Sequence, residues 1–339
     1  MERERHLLNA WGHAYGVSSE GFRTNESLDG RLYCQPVFPR GTGFGNRLFI
    51  WARCRLFART YGATMVSPIW FRPAVGQLFR GGIDYGSYLR QITLFRLFQK
   101  RAGDWGVVTG RLRTLATRRI SEVELAHEDW ASDMPLASPV KVLFDAPVFD
   151  FRALNGEHEF LHEELRAITR RHFLKPFERL GEVPIGINIR MGNDFSPAPV
   201  LERTGRVGWL QKTPLSWFRD TLLVLREEIG YPAPAVVVSD GTPESLREIL
   251  SLENVTHLRP GTAISDLLTL ARSKVLLASG SSTFSAWAGF LGQMPAVTAP
   301  GHPLMRRAMT PMRAQYIGDF DPVRPDPTFL EQARAALKD

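Results

Sequence analysis

The chain has 339 residues, of which 44% are hydrophobic and 23% charged. That is the composition of a core-forming globular protein and excludes disordered and fibrous classes, and the length suits about two domains. A net charge of +7 favours anionic partners such as phosphates, nucleic acid or an acidic membrane surface, without choosing among them.

Residues 1–30 are polar and weakly periodic and read as an extension. Met1 to Gly16 is charged and lacks the apolar core of a signal peptide. No apolar stretch approaches the ~20 residues of a membrane-spanning helix. The expected location is cytoplasmic, with any membrane contact peripheral. Cys34 and Cys54 form neither a metal cluster nor a disulfide framework and are expected as free thiols.

Leu32 to Phe38 predicts a strand that runs into a turn at Pro39. Gly41-Thr42-Gly43-Phe44-Gly45-Asn46 then opens a helix over Arg47 to Tyr61, and Thr64 to Ser67 predicts the next strand. The glycine run departs from the dinucleotide fingerprint: Asn46 replaces the last glycine, and no acidic residue follows about 20 positions on. Leu89 to Arg119 mixes apolar and basic residues as interfacial helices do. The reading adopted is a core-packed helix with a basic exposed side. Val140 to Phe144 predicts a strand. Glu157 to Leu174 predicts a helix, acidic early and basic late as the helix dipole favours, with Pro176 marking a boundary. His158 and His162 are read as solvated.

From Val183 the pattern alternates between strand and helix. Strands are predicted at 184–189, 235–238, 254–258, 274–278 and 295–298. Helices are predicted at 214–229, at 243–250 with Thr242 as cap, at 265–272 with Ser265 as cap, and at 283–291. Such alternation predicts a parallel sheet with helices on both faces. The boundaries drawn are an α/β domain over 31–180, a Rossmann-like domain over 181–325 and a C-terminal helix over 326–339.

In open α/β sheets, ligands sit outside the carboxyl ends of the strands. Four segments place small or polar residues there: Asn188 to Asp194, Ser239 to Gly241, Gly261 to Asp266, and Ser279 to Thr283. Arg190 offers a planar cation suited to phosphate, and Gly192 permits close backbone approach. The alternative is an Arg190 that staples strand ends through Asp194 or Asp240. Ser281, Ser282 and Thr283 open a helix and suit either phosphate binding or N-capping. Asp266 suits a cap or a guanine; Asp240 suits a ribose hydroxyl or a turn.

Together these segments resemble the α-1,2-fucosyltransferase family, within the superfamily that includes α-1,6- and protein O-fucosyltransferases. The family's G-x-G-N-Q-x-F pattern is similar to Gly43-Phe44-Gly45-Asn46-Arg47-Leu48-Phe49, with Arg47 in place of Gln. Its H-x-R-x-G-D is similar to Asn188-Ile189-Arg190-Met191-Gly192-Asn193, with Asn188 and Asn193 in place of the His and the acid. Its S-D matches Ser239-Asp240. Its D-L block and N-S-S-F-S-W-W-A block are similar to Asp266 to Lys274 and to Gly280 to Ala288.

The resemblance runs in the family's order from about Gly41 to Pro295. It implies a GT-B-like fold of two Rossmann-like halves, each with a parallel sheet, the first on the acceptor side and the second binding the nucleotide sugar. It implies an inverting, metal-independent transfer of fucose from GDP-fucose to a glycan hydroxyl, in bacterial surface polysaccharide or glycolipid synthesis, with no further cofactor. Arg190 would hold the β-phosphate, and Ser281, Ser282 and Thr283 the diphosphate. Asp266 would face the guanine. Gly45 and Asn46 would approach from the other half, and Asn188, Gly192 and Asp240 complete the donor set. Asp194 and Glu202 are the candidate bases. The expected partners are a nucleotide sugar and a glycan, with no nucleic acid. Two alternatives stay open: another nucleotide-sugar donor, and a non-catalytic basic protein that binds phosphate or nucleic acid.

Overall fold

Each half of the chain is built on a parallel β-sheet, and each half is a compact unit of its own. The computed structural model describes residues 32–39, 42–70, 97–127, 139–191, 212–258, 262–280, 282–301 and 316–338. Among these, the first unit takes residues up to Ile168 and the second begins at Thr169.

The first unit contains β1 (Leu32–Pro36), α1 (Phe44–Tyr61), β2 (Thr64–Met65), α2 (Val107–Arg113), β3 (Arg118–Ser121), α3 (Glu122–His127), β4 (Val140–Phe144) and α4 (His158–Ile168). Its strands lie in the order β2-β1-β4-β3, every pair parallel. The second unit contains α5 (Arg171–Arg179), β5 (Ile185–Ile189), α6 (Leu215–Ile229), β6 (Ala235–Ser239), α7 (Arg247–Leu250), β7 (Val255–His257), α8 (Ala263–Ala271), β8 (Val275–Ala278), α9 (Thr283–Gly292), β9 (Ala296–Thr298), β10 (Ile317–Asp319) and α10 (Pro327–Lys338). Its sheet runs β7-β6-β5-β8-β9-β10, also wholly parallel. This is the doubly wound order, in which the chain reverses direction across the sheet between β5 and β8.

The central strands β5, β6 and β8 are buried at every position, which is why they read as unbroken apolar runs rather than alternating ones. Two glycines permit the close packing around them. A Cβ on Gly186 would stand 2.7 Å from Ser273 Oγ, and one on Gly292 would overlap the Ala271 carbonyl. Helices α8 and α9 thereby approach each other at the sheet's centre.

In the first unit, α1 is buried nearly all round, and its four arginines are therefore partnered. Arg53 donates from Nε and Nη2 to both Glu122 oxygens at 2.9 Å, and to the Ala146 and Val148 carbonyls at 2.8 and 2.7 Å. Glu122 also accepts the Ala146 N–H at 2.7 Å. Arg55 pairs with Asp104 and Glu164, Arg59 with Glu157, and Arg47 donates to the Thr42 and Trp70 carbonyls. Cys34 and Cys54 are free and buried, and burial pushes the Cys54 thiol up from its ordinary value.

Several expectations are corrected. The helix predicted over 157–174 is two helices, α4 and α5, separated by Arg170 in an extended conformation. Residue 176 lies within α5 rather than beyond a boundary. Glu157 and Glu164 are held by arginines of the first unit rather than by the helix dipole alone. His158 and His162 are half-buried. The helix expected over 243–250 is a turn followed by the four-residue α7, although Thr242 Oγ1 does accept the Ser245 N–H. Elements α2, β3, α3 and β10 were not anticipated. Among the described residues, no helix is long and apolar enough to cross a membrane.

Candidate functional site

The strand order reverses between β5 and β8, and in open α/β sheets ligands bind outside the carboxyl ends of the strands at such a point. Arg190 follows β5, Asp240 follows β6, and Ser279 and Gly280 follow β8.

These strand ends are tied together by hydrogen bonds. The Arg190 N–H donates to Ser279 Oγ at 2.9 Å, and the Ser279 N–H donates to the Asn188 carbonyl at 2.9 Å. The Met191 N–H donates to Asp240 Oδ1 at 2.7 Å. Asp240 Oδ2 lies 2.6 Å from Arg190 Nη1. The staple between Arg190 and Asp240 is therefore present. The Arg190 side chain nevertheless remains 29% exposed at the carboxyl end of β5.

Helix α9 starts after β8, the strand next to β5. Ser282 is its N-cap and accepts the Ser285 N–H at 3.3 Å. Thr283 is the first helical residue and is half-buried. Asn188 braces the helix start from below: its Oδ1 accepts from Ser285 Oγ at 2.6 Å and Ser282 Oγ at 3.5 Å, and its Nδ2 donates to the Val238 carbonyl at 3.4 Å. Asn188 is buried at 2% exposure. Thr213, just ahead of α6, accepts the Gly280 N–H at 3.2 Å. Helix starts and guanidinium groups each favour anions, and here both stand at the carboxyl ends of neighbouring strands.

Asp266 lies in the first turn of α8 and is 8% exposed. It is not the cap, and neither is Ser265. Thr262 caps the helix and Ser265 returns the bond in a capping box, with Ser265 Oγ accepting the Thr262 N–H at 2.8 Å. Gly241 follows Asp240 where a Cβ would stand 2.9 Å from Met191 Cγ, so the turn carrying Asp240 tolerates no side chain.

Gly45 and Asn46 belong to the first unit, in the first turn of α1. Asn46 Oδ1 is shielded from solvent and accepts no hydrogen bond from the described residues. Gly192, Asn193, Asp194, Glu202 and Ser281 lie outside the described residues. Among those described, no group of three or more His, Cys, Asp or Glu is placed to hold a metal ion. Ser279, Ser285 and Thr213 had no role in the sequence reading. Ser279 stood within a strand-end segment and Ser285 within a motif block already singled out, whereas Thr213 carried no signal, because its partner is 67 residues away in sequence.

No family model matches the chain, and no curated relative does. Among solved structures, the chain is similar to the fucosyltransferase NodZ from Bradyrhizobium at 17% identity, covering 79% of this chain and 96% of that one with a TM-score of 0.48. It is similar to POFUT1 in complex with GDP at 12% identity, covering 86% and 98%, with a TM-score of 0.48. A third match is NodZ α-1,6-fucosyltransferase soaked with GDP-fucose, at 15% identity, 79% and 94% coverage and a TM-score of 0.46. Likenesses this distant assign no side-chain role.

Proposed function

We propose that the chain is a glycosyltransferase that moves fucose from GDP-fucose to a glycan hydroxyl with inversion, in bacterial surface polysaccharide or glycolipid synthesis. The observation that carries the reading is that Arg190 and the start of α9 follow β5 and β8, the two strands between which a doubly wound sheet reverses. The sequence blocks around Arg190, Asp266 and Ser282 supply the choice of donor through their resemblance to the fucosyltransferases.

In this mechanism the acceptor oxygen attacks the anomeric carbon as the bond to the diphosphate breaks. Negative charge grows on the departing GDP. Arg190 faces that charge, and the helix start presents backbone N–H groups to it, so both stabilise the leaving group where its charge develops. Asp240 orients the guanidinium. Asp194 or Glu202 takes the acceptor proton. Asp266 reads the guanine N–H donors. Transfer proceeds without a metal ion, so EDTA leaves the rate unchanged.

Thermal shift against GDP, UDP, ADP and their sugars tests the donor. Stabilisation by GDP and GDP-fucose, lost in Arg190→Ala, is expected. Equal response to all three nucleotides sinks the choice of guanine, and no response to any sinks the site.

A further inference from the structure

The first unit carries a surface that the transfer reaction does not use. Helix α2 and the turn after it expose Val108, Leu112 and Leu115 at 71%, 64% and 65%. The cause lies on the opposite side of the helix. Gly110 sits so close to Val66 that a Cβ there would stand 2.5 Å from Val66 Cγ1. Thr114 is buried, donating to the Gly110 carbonyl at 2.6 Å and accepting from Lys141 Nζ at 2.8 Å. With 3.6 residues per turn, positions 110 and 114 face inward, and 108, 112 and 115 fall in a stripe about 60° wide on the far side. Seating the helix through its glycine therefore turns three aliphatic side chains outward. This corrects the expectation of a core-packed helix with a basic exposed side, since the exposed side is also aliphatic; the part of that run at 89–96 lies outside the described residues.

The charge around the stripe has one sign. Residues 106–120 include Arg111, Arg113, Arg118 and Arg119 and no acidic residue, and all four arginines are exposed. Arg113 lies over the Trp105 ring at 4.9 Å. Self-pairing of this face would bring like charges together. Nucleic acid would match the charge but leave the aliphatic chains without a partner, since bases stack on aromatic faces. A bilayer with anionic headgroups satisfies both: phosphates meet the arginines, and the aliphatic chains enter the headgroup–acyl boundary.

We propose that this face docks the protein peripherally on an anionic lipid surface, through Val108, Leu112 and Leu115 and the surrounding arginines. The test is flotation of the full chain with vesicles of phosphatidylcholine alone or mixed with phosphatidylglycerol, a readout that requires no donor. Wild type is expected to float with the anionic vesicles and not with the neutral ones. L112S/L115S and R111Q/R119Q each weaken binding by roughly tenfold or more. All four substituted side chains are exposed, and unchanged thermal melting verifies that the variants fold. Absence of wild-type binding to anionic vesicles overturns the proposal. So does undiminished binding by L112S/L115S, or displacement from vesicles by a single-stranded oligonucleotide that L112S/L115S and wild type bind equally; these outcomes assign the face to a soluble polyanion.

Discussion

Arg53 in the first unit and Arg190 in the second follow the same chemistry to opposite ends. Arg53 is sealed: its side chain is 1% exposed, and a carboxylate and two carbonyls receive its donors. Those carbonyls belong to the loop after β4, so Arg53 fixes that loop to α1 and α3. Arg190 is also paired with a carboxylate, Asp240, but its side chain stays 29% exposed at the carboxyl end of β5. A guanidinium sealed among acceptors holds a fold together. One that keeps part of its surface in solvent at a strand end can be reached by a ligand. The residue type is the same; what differs is the burial.

The comparison breaks hardest at Arg53. Removing one partner of a buried ion pair leaves the other uncompensated, so Arg53→Met is expected to cost about 3–5 kcal/mol of stability in chemical denaturation. The double variant R53M/E122L should recover part of that loss. A single variant within 1 kcal/mol of wild type would show that Arg53 is not what holds the loop. Arg190→Ala should behave in the opposite way, with melting close to wild type and a rate loss equivalent to roughly 3–4 kcal/mol in a transfer assay. If stability falls as it does for Arg53 and activity persists, Arg190 is only a staple.

Lys141 sharpens the rule with a cation that has neither arrangement. It is 3% exposed, and its Nζ donates to the Thr114 hydroxyl at 2.8 Å. Burial, then Arg119 and Arg111, push its ammonium below the ordinary 10.5. The unfolded chain therefore holds this proton more tightly. The resulting destabilisation is full below the folded value and disappears as pH rises through it toward 10.5. Lys141→Met should stabilise the protein at neutral pH by about 1 kcal/mol, and the gap to wild type should close in alkaline melts. A gap that widens with pH would contradict the sign. The smallest effect belongs to Asp240→Asn, which keeps an acceptor for the Met191 N–H but removes the ion pair. A loss of roughly 0.2–1 kcal/mol is expected, with a modest rise in donor KM.

The second unit was the more legible half. Its strands are buried on both faces, so apolar runs bounded by Gly, Pro and Ser located β5, β6 and β8 to within a residue or two. Short, half-exposed elements such as β7 and β10 carry little pattern, and β10 was missed. In the first unit, α1 is buried all round, so its helical stripe was visible but the meaning of its arginines was not. Nothing near Arg53 in sequence announces Glu122, which is 69 residues away. Caps were misplaced for a related reason. Thr262 and Ser265 each suit the end of a helix, and only the backbone conformation at Thr262 decides between them.

The sequence by itself determined the class of the fold and which side chains would stand at the strand ends, because strand burial and glycine turns are local properties of the chain. It determined that Arg190 would follow an apolar strand. Only the tertiary structure decided the strand order that sets β5, which carries Arg190, next to β8, which leads to α9, and the contact between Arg190 and Asp240. It also turned Asn188 inward as a brace and Leu112 outward as a surface. These outcomes depend on partners 49 to 97 residues away, or on a glycine's contact with a different element, and no local pattern encodes them.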